Sequence, residues 1–318
     1  MAIGQWPLTI AVDALGGDDA PGVVVSGAVL AVREGHNVIL VGPSEAIRSL
    51  IAKEGAAGLP NLTIEDAPDG VAMDESPLAA LRKKPRASIR VACDLVASGR
   101  ASGVYSAGHT GASLVAAHAA FGMVAGVERP ALAVVVPTRG GGSVLVDAGA
   151  NADCRASQLA QFGVMGAVYA SLVLDEADPG VGLLSIGEEA GKGNELVKDA
   201  HALLAAMPIR FVGNIDAARW FHGDADVVVT DGFTGNVALK VGEAVVEMMT
   251  AGLPTDALGT LHYAKVGGAP LIGVNGLLVV GHGRSTADAI ANGIALTAKL
   301  AERRVVSKVA EAIQRVLN

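Results

Sequence analysis

The chain has 318 residues, of which 51% are apolar and only 3% aromatic, with a formal net charge of −8 and two cysteines. That length fits one or two domains, and a mean hydropathy of +0.45 supports a large core built from Val, Leu, Ile and Ala. The acidic balance argues against a general nucleic-acid binder, and no apolar stretch reaches the roughly 18 residues of a membrane span.

The N-terminus, MAIGQWPLTIAVD, has no charged leader region and runs directly into a strand, so no signal peptide is expected. LTIAV is short and β-branched, which predicts a strand rather than a helix. Asp18 or Asp19 is expected to cap the helix that follows, with Pro21 in its first turn and Val24, Val25, Ala28 and Val32 on one face. NVILVG reads as the second strand, EAIRSLIAKEG as its helix and LTIEDAP as the third strand. Residues Asp74 to Leu95 read as polar loop and helix enclosing RKKPRASIR, and GVYSAG leads to a helix over Thr110 to Val124. ALAVVVPT and SVLVDAGA are joined by RGGG, a hairpin signal that predicts a mixed sheet.

The second half repeats the alternation. SQLAQFGVMGAVYASLVL predicts an apolar helix capped by Ser157, VGLLSIG a strand, NELVKDAHALLAAM a helix and IRFVGNI a short strand. DVVVTDG is a strand, Asn236 to Met249 a helix and GLLVVGHG the last strand. Ser285 or Thr286 then caps a long helix reaching past Val309. No low-complexity linker or charge run marks a boundary. One domain over residues 1–318 is expected, whose lobes, if there are two, interleave along the chain.

Six times an apolar strand runs into a glycine-rich turn and out into a helix. The turns are DALGGD (Asp13 to Asp18), SAGHTGA (Ser106 to Ala112), DAGAN (Asp147 to Asn151), IGEEAGKGNE (Ile186 to Glu195), DGFTGN (Asp231 to Asn236) and GHGRS (Gly281 to Ser285). Such turns collect at the carboxyl ends of strands, where ligands bind. Glycine lets backbone approach a ligand, and the helix start behind it offers N–H groups to an anion. Any single turn is ordinarily plain chain reversal; six favour a shared small-molecule site.

Several familiar signatures are missing. The first strand is not followed by GxGxxG, GEEAGKGN is not a P-loop, and neither HExxH nor GxSxG occurs. Cys93 and Cys154 form neither a CxxC nor a metal spacing and suit a reducing cytoplasm. No metal and no cofactor is expected. Lys192, beside Glu188, Glu189 and Asn194, is either a solvated loop lysine or a cation that holds phosphate and supports developing negative charge. His109 and His282 either brace their turns or act as oxyanion donors or acid–base groups. Asp13, Asp147 and Asp231 recur before glycine-rich turns, where aspartates often bond loop amides. Arg82, Lys83, Lys84, Arg86 and Arg90 form a solvated basic face or, in an acidic protein, a dock for an acidic partner.

The motifs AVDALGGDDAP, MDESPLAALRKK, YSAGHTGA, RPALAVVVPT, LVDAGANADC, GLLSIGEEAGKGNEL, FVGNID, DADVVVTDGFTGNVALK and GGAPLIGVNG span almost the whole chain. In order and spacing this set resembles the bacterial phosphate acyltransferases, which make acyl phosphate from acyl-(acyl-carrier protein) and inorganic phosphate for phospholipid synthesis. The resemblance implies a three-layer α/β/α sandwich with a mostly parallel mixed sheet, similar to phosphotransacetylases and to isocitrate and isopropylmalate dehydrogenases. It also implies a homodimer in the cytoplasm, with the downstream membrane glycerol-3-phosphate acyltransferase as a further partner. Three places differ from the family pattern: His109 replaces the asparagine of SAGNTGA, GHGRS replaces AHGSS, and a short stretch between Lys240 and Gly267 stands where a long helical hairpin is usual. The shortened segment, Ala251 to Ala264, predicts little peripheral membrane attachment.

On this basis Lys192, His109, His282 and Asn194 are the candidate catalytic residues. Asp13, Gly16, Gly17, Ser106, Gly108, Thr110, Gly111, Asp147, Asn151, Gly187, Glu188, Gly193, Asp231, Gly232 and Asn236 are candidate substrate contacts. The amides of Gly108 to Gly111 and Gly187 to Gly193 are expected to hold phosphate and the oxyanion. Direct transfer without an acyl-enzyme is expected, because Cys93 sits in an apolar helix and Cys154 has no adjacent base. Other readings are a phosphotransacylase using acyl-coenzyme A, a non-catalytic module that binds acyl carrier or phosphate, and a dehydrogenase on the related fold.

Overall fold

The structure is a computed structural model that describes residues 8–250 and 267–317. In chain order the elements are β1 (Thr9–Asp13), α1 (Gly22–Arg33), β2 (Asn37–Gly42), α2 (Ser44–Lys53), β3 (Leu62–Asp66), α3 (Pro77–Lys83), α4 (Ser88–Ala97), β4 (Gly103–Ser106) and α5 (Thr110–Phe121). They continue with β5 (Ala131–Thr138), β6 (Gly141–Val146), α6 (Ala156–Val173), β7 (Val181–Leu184), α7 (Glu195–Ala205), β8 (Phe211–Ile215), α8 (Ala217–His222), β9 (Val227–Val229) and α9 (Gly232–Thr250). The last are β10 (Ala269–Ile272), β11 (Leu278–Val280), α10 (Ala287–Glu302) and α11 (Val305–Leu317).

The chain forms two compact units. Of the described residues, one takes 8–122, 267–270 and 274–304; the other takes 123–250, 271–273 and 305–317. In the first, strands run in the order β3, β2, β1, β4, β11, all parallel, and the first half of β10 pairs antiparallel with β11. In the second, β5 is antiparallel to β6, and β6, β9, β7 and β8 are parallel. Leu271 and Ile272 of β10 pair with β5. The architecture is α/β with helices flanking a mixed sheet.

The buried residues on these strands are almost all Val, Ile, Leu and Ala, as a sheet covered on both faces requires. In the first unit α1 lies against α10: a β-carbon at Gly27 would come within 2.7 Å of the Ile290 Cγ2. Helix α4 packs on β1 and β4 and against α5, which in turn meets β11. In the second unit α6 is the central helix, packed against α7, α11 and strands β6 and β9. Among the described residues no helix is long and apolar enough to cross a membrane.

Several boundaries differ from expectation. Pro21, not Asp18 or Asp19, is the N-cap of α1, and no side chain caps that helix. Helix α6 begins at Ala156 behind Arg155, whose backbone N–H is bonded by Gln158; Ser157 lies inside the first turn. Helix α5 stops at Phe121 because Gly122 takes φ 65°, and α9 starts at Gly232, four residues before Asn236. The expected single C-terminal helix is two, α10 and α11, parted at Arg304 with φ 56°. Strand β10 and helix α8 were not foreseen. The shortened segment Ala251 to Ala264 lies outside the described residues.

Candidate functional site

Each unit gathers three of the six glycine turns. In the first unit the turns after β1 and β4 meet at Asp13, which closes β1 and is 5% exposed. Asp13 Oδ1 accepts from Ser88 Oγ at 2.5 Å and from the Leu15 N–H at 3.2 Å, and Oδ2 accepts from Ser106 Oγ at 2.7 Å. The Gly108 N–H donates to Ser106 Oγ at 3.2 Å. Burial pushes the Asp13 carboxyl above its ordinary value, and the two hydroxyls and the Leu15 amide pull it part of the way back. Two glycines make this packing possible. A β-carbon on Gly16 would lie 2.7 Å from the Gly108 nitrogen, and one on Gly108 would lie 2.9 Å from the Gly16 Cα.

Gly17 takes φ 124°, a conformation that side chains resist. The Asp18 N–H then donates to Gly283 O at 2.9 Å, tying the first turn to GHGRS. His282 Nδ1 accepts from the Arg284 N–H at 3.2 Å. His109 is the N-cap of α5: its Nδ1 accepts from the Gly111 N–H at 3.1 Å, which places the ring proton of the neutral imidazole on Nε2. Two amides proposed for substrate, those of Gly108 and Gly111, are thus bonded within the turn. Those of Thr110 and Ala112, at the helix start, have no partner among the described residues.

In the second unit the DAGAN turn closes on Asp147, which is fully buried. Its Oδ1 accepts from the amides of Leu132 (2.9 Å), Gly149 (3.1 Å) and Ala150 (2.9 Å). Its Oδ2 accepts from the Asn151 amide (2.8 Å) and Asn151 Nδ2 (2.9 Å). Burial raises this carboxyl too, and the N–H donors oppose it. Asn151 Nδ2 also reaches Pro130 O, and Asn151 O accepts the Gly232 amide at 2.8 Å, joining this turn to DGFTGN. Asp231 receives the Thr234 amide and hydroxyl, each at 2.8 Å. Asn236 bonds Ala148 O through Nδ2 at 3.2 Å.

The turn after β7 has a different character. Lys192 is exposed, and no described residue bonds its Nζ. Gly193 takes φ 98°, and Asn194 caps α7 by accepting from the Val197 amide at 2.9 Å. Glu188 of this turn is ion-paired to Arg219, which also holds Asp224 at 2.6 Å. Asn214 Nδ2 braces the turn through Glu189 O at 3.0 Å, while its Oδ1 meets His201 Nδ1 at 3.0 Å. Gly187 sits beside the Lys192 stem.

Burial pushes both thiols up, Cys154 to about 11 and the buried Cys93 further. Neither is a thiolate near neutrality. Of the basic run, Lys84 pairs with Glu75 and bonds Gly70 O, Arg86 pairs with Asp66, and Arg90 reaches Leu81 O at 3.4 Å. Arg82 and Lys83, at the end of α3, are exposed and make no bond within the described residues. Ser88, Asn214, Arg219 and Thr234 complete these clusters although sequence reasoning did not single them out. FVGNID carried a signal for Asn214, whereas Ser88 lies in the basic run RKKPRASIR, whose signal is only its cations. Among the described residues no group of three or more His, Cys, Asp or Glu side chains is placed to hold a metal.

The model of a family described as fatty acid synthesis protein matches residues 8–308. Phosphate acyltransferase from Desulforudis audaxviator (strain MP104C) is 45% identical, over 96% of this chain and 96% of its own. Phosphate acyltransferase from Heliobacterium modesticaldum (strain ATCC 51547 / Ice1) is 42% identical, over 96% of this chain and 98% of its own. Among solved structures, a phosphotransacetylase from Streptococcus pyogenes superposes with a TM-score of 0.67 at 20% identity, covering 93% of this chain and 94% of that one, which supports the fold. Matched nearly end to end by relatives well above the level at which family is shared, the chain belongs to the phosphate acyltransferase family.

Proposed function

We propose that the protein transfers the acyl group of acyl-(acyl-carrier protein) to inorganic phosphate. A phosphate oxygen attacks the thioester carbonyl, a tetrahedral oxyanion forms, and the C–S bond breaks to give acyl phosphate and the carrier thiolate, which takes up a proton. The near end-to-end match to proteins named phosphate acyltransferase carries this reading. The chemistry of the turns agrees with it. Phosphate is already a nucleophile, so the enzyme's task is to position it and to stabilise charge. Lys192, whose Nζ no described residue bonds, in a turn braced by Asn214 and Arg219, is the cation for that task. The open amides of Thr110 and Ala112 and the Nε2–H of His109 are candidate donors. His282 and Lys192 are the candidate acids for the departing thiolate. The raised thiols favour direct transfer over an acyl-cysteine.

The carrier dock falls on Arg82 and Lys83, because Lys84 and Arg86 are neutralised by Glu75 and Asp66. A homodimer is proposed through α9, where Phe233, Val237, Val241, Val245 and Met248 are exposed at helical spacing. Its site of action is the cytoplasm, delivering acyl phosphate to a membrane glycerol-3-phosphate acyltransferase. The test is phosphate-dependent release of free thiol from acyl-(acyl-carrier protein), with acyl phosphate trapped by hydroxylamine. Thiol release without phosphate, or none at all, would overturn the assignment.

A further inference from the structure

Asp13 was expected to touch substrate, but every bond it makes faces inward. Its two oxygens are taken by Ser88, Ser106 and the Leu15 amide, and it is 5% exposed. Of these partners only Ser106 continues outward: its hydroxyl donates to Asp13, and its oxygen accepts the Gly108 N–H. A hydroxyl has one proton and two lone pairs. A carboxylate that takes the proton therefore fixes the rotor, and with it the lone pair offered to Gly108. With that rotor free, the Gly108 amide would lose a fixed acceptor at the point where Gly16 and Gly108 touch backbone to backbone.

We propose that Asp13 is the positioning residue of the Gly108–Thr110 turn, acting through Ser106 to set where α5 begins and where its open amides point. Ser88 supplies the second hydroxyl, which holds the carboxylate in its rotamer from α4. The inference rests on the acyl transfer proposed above for its catalytic consequence, but its structural half stands apart. A turn displaced by a fraction of an ångström loses rate rather than affinity for a carrier docked elsewhere.

The experiment compares Asp13→Asn, Ser106→Ala and the double variant with the wild-type protein. Amide hydrogen exchange is read at Gly108, and kcat and KM with acyl-(acyl-carrier protein). Exchange at Gly108 should rise about 10-fold or more in both single variants, while core amides of β1 and β4 keep their protection. Turnover should fall about 10-fold or more with the carrier KM within about twofold. The double variant should be no worse than Ser106→Ala alone, because two residues acting in series are not additive. Unchanged Gly108 exchange in Ser106→Ala, or losses that multiply in the double variant, would overturn the proposal. If Asp13→Asn fails to fold, Ser106→Ala carries the exchange test by itself. A wild-type protein that makes no acyl phosphate would remove the proposed activity, yet the exchange result would still decide the role of Asp13.

Discussion

Asp13 and Asp147 stand at the same place in two similar motifs, DALGGD and DAGAN, each at the foot of a parallel strand, and each is buried with its carboxyl pushed up. Their surroundings make them different devices. Asp147 accepts five N–H bonds, from Leu132, Gly149, Ala150, the Asn151 amide and Asn151 Nδ2. The four backbone N–H groups among them cannot turn round and accept, so each needs an acceptor at Asp147. Asp13 has one N–H and two hydroxyls, and a hydroxyl can donate or accept. One turn is locked by its aspartate; the other is held by a partner that can be re-set. The same motif therefore carries a rigid closure in one unit and an adjustable one in the other.

The comparison breaks first at Asp147. Replacing it with Ala removes the acceptor of five N–H donors, the buried Leu132 amide among them, and hydrogen bonds to a charged group are worth roughly 1.5–3 kcal/mol each. The expected outcome is a protein recovered in low yield with a melting temperature lowered by about 10 °C, measured by calorimetry against wild type. A variant melting within a degree or two of wild type would show that the turn closes without its aspartate. Lys192→Ala tests the opposite kind of residue, one with nothing to hold. Turnover should drop by ~10²-fold, as for loss of one oxyanion-type donor, with melting unchanged, since no described residue bonds its Nζ. Near-normal turnover would remove Lys192 from the chemistry.

The basic run repeats the contrast between committed and uncommitted groups. Reversing Arg82 and Lys83 to Glu should cut kcat/KM for the carrier substrate about 10-fold at low salt and flatten its salt dependence. A small acyl donor without carrier should be nearly unaffected. Equal loss with both donors would place these cations in the fold instead. Reversing Lys84 and Arg86 breaks the ion pairs to Glu75 and Asp66, so its cost should fall on both donors alike.

Asp13 gives a smaller signal that depends on pH. Its folded value lies above the ordinary 3.8, so between the two the native state binds more protons than the unfolded chain, and stability falls as pH rises through the folded value. Asn at this position does not titrate. The melting temperature of Asp13→Asn minus that of wild type should therefore grow as pH rises from the ordinary carboxylate range through the raised folded value. A difference that stays flat would mean the two hydroxyls and the Leu15 amide outweigh burial at Asp13.

Much of this was legible because strands and turns write themselves locally. β-branched runs named ten of the strands, and the glycine turns named the ends where the clusters form. What failed was the choice among several possible helix ends and whatever depends on partners distant in the chain. Strand β10 holds Pro270 in a four-residue segment and exists because β11 and β5 flank it; alone it reads as loop. Helix α6 took Arg155 as its cap because the Gln158 side chain could fold back on the backbone, although Ser157 has the better intrinsic preference. Ser88 lies 75 residues from the carboxylate it bonds, and no local pattern announces such a pair. The turns could be read from the sequence; their wiring could not.

His109 should give the smallest effect, and it bears on the adjustable turn directly. Its Nδ1 caps α5 by accepting the Gly111 amide, the task that the side-chain oxygen of an asparagine performs at an N-cap. The histidine thus fills the geometric place of the asparagine in SAGNTGA, and one atom of it is explained by capping alone. His109→Asn restores an acceptor at that place and should leave melting within about a degree and turnover within about threefold. His109→Ala removes the acceptor and should cost about 1 kcal/mol, the ordinary worth of a cap. If His109→Asn melts like wild type but loses turnover as severely as His109→Ala, the cap is not the whole role. Nε2–H, the one ring atom that asparagine does not replace, is then the donor to the reacting group. Steady-state kinetics on the two variants, set beside their melting curves, separates a residue that shapes the turn from one that also uses it.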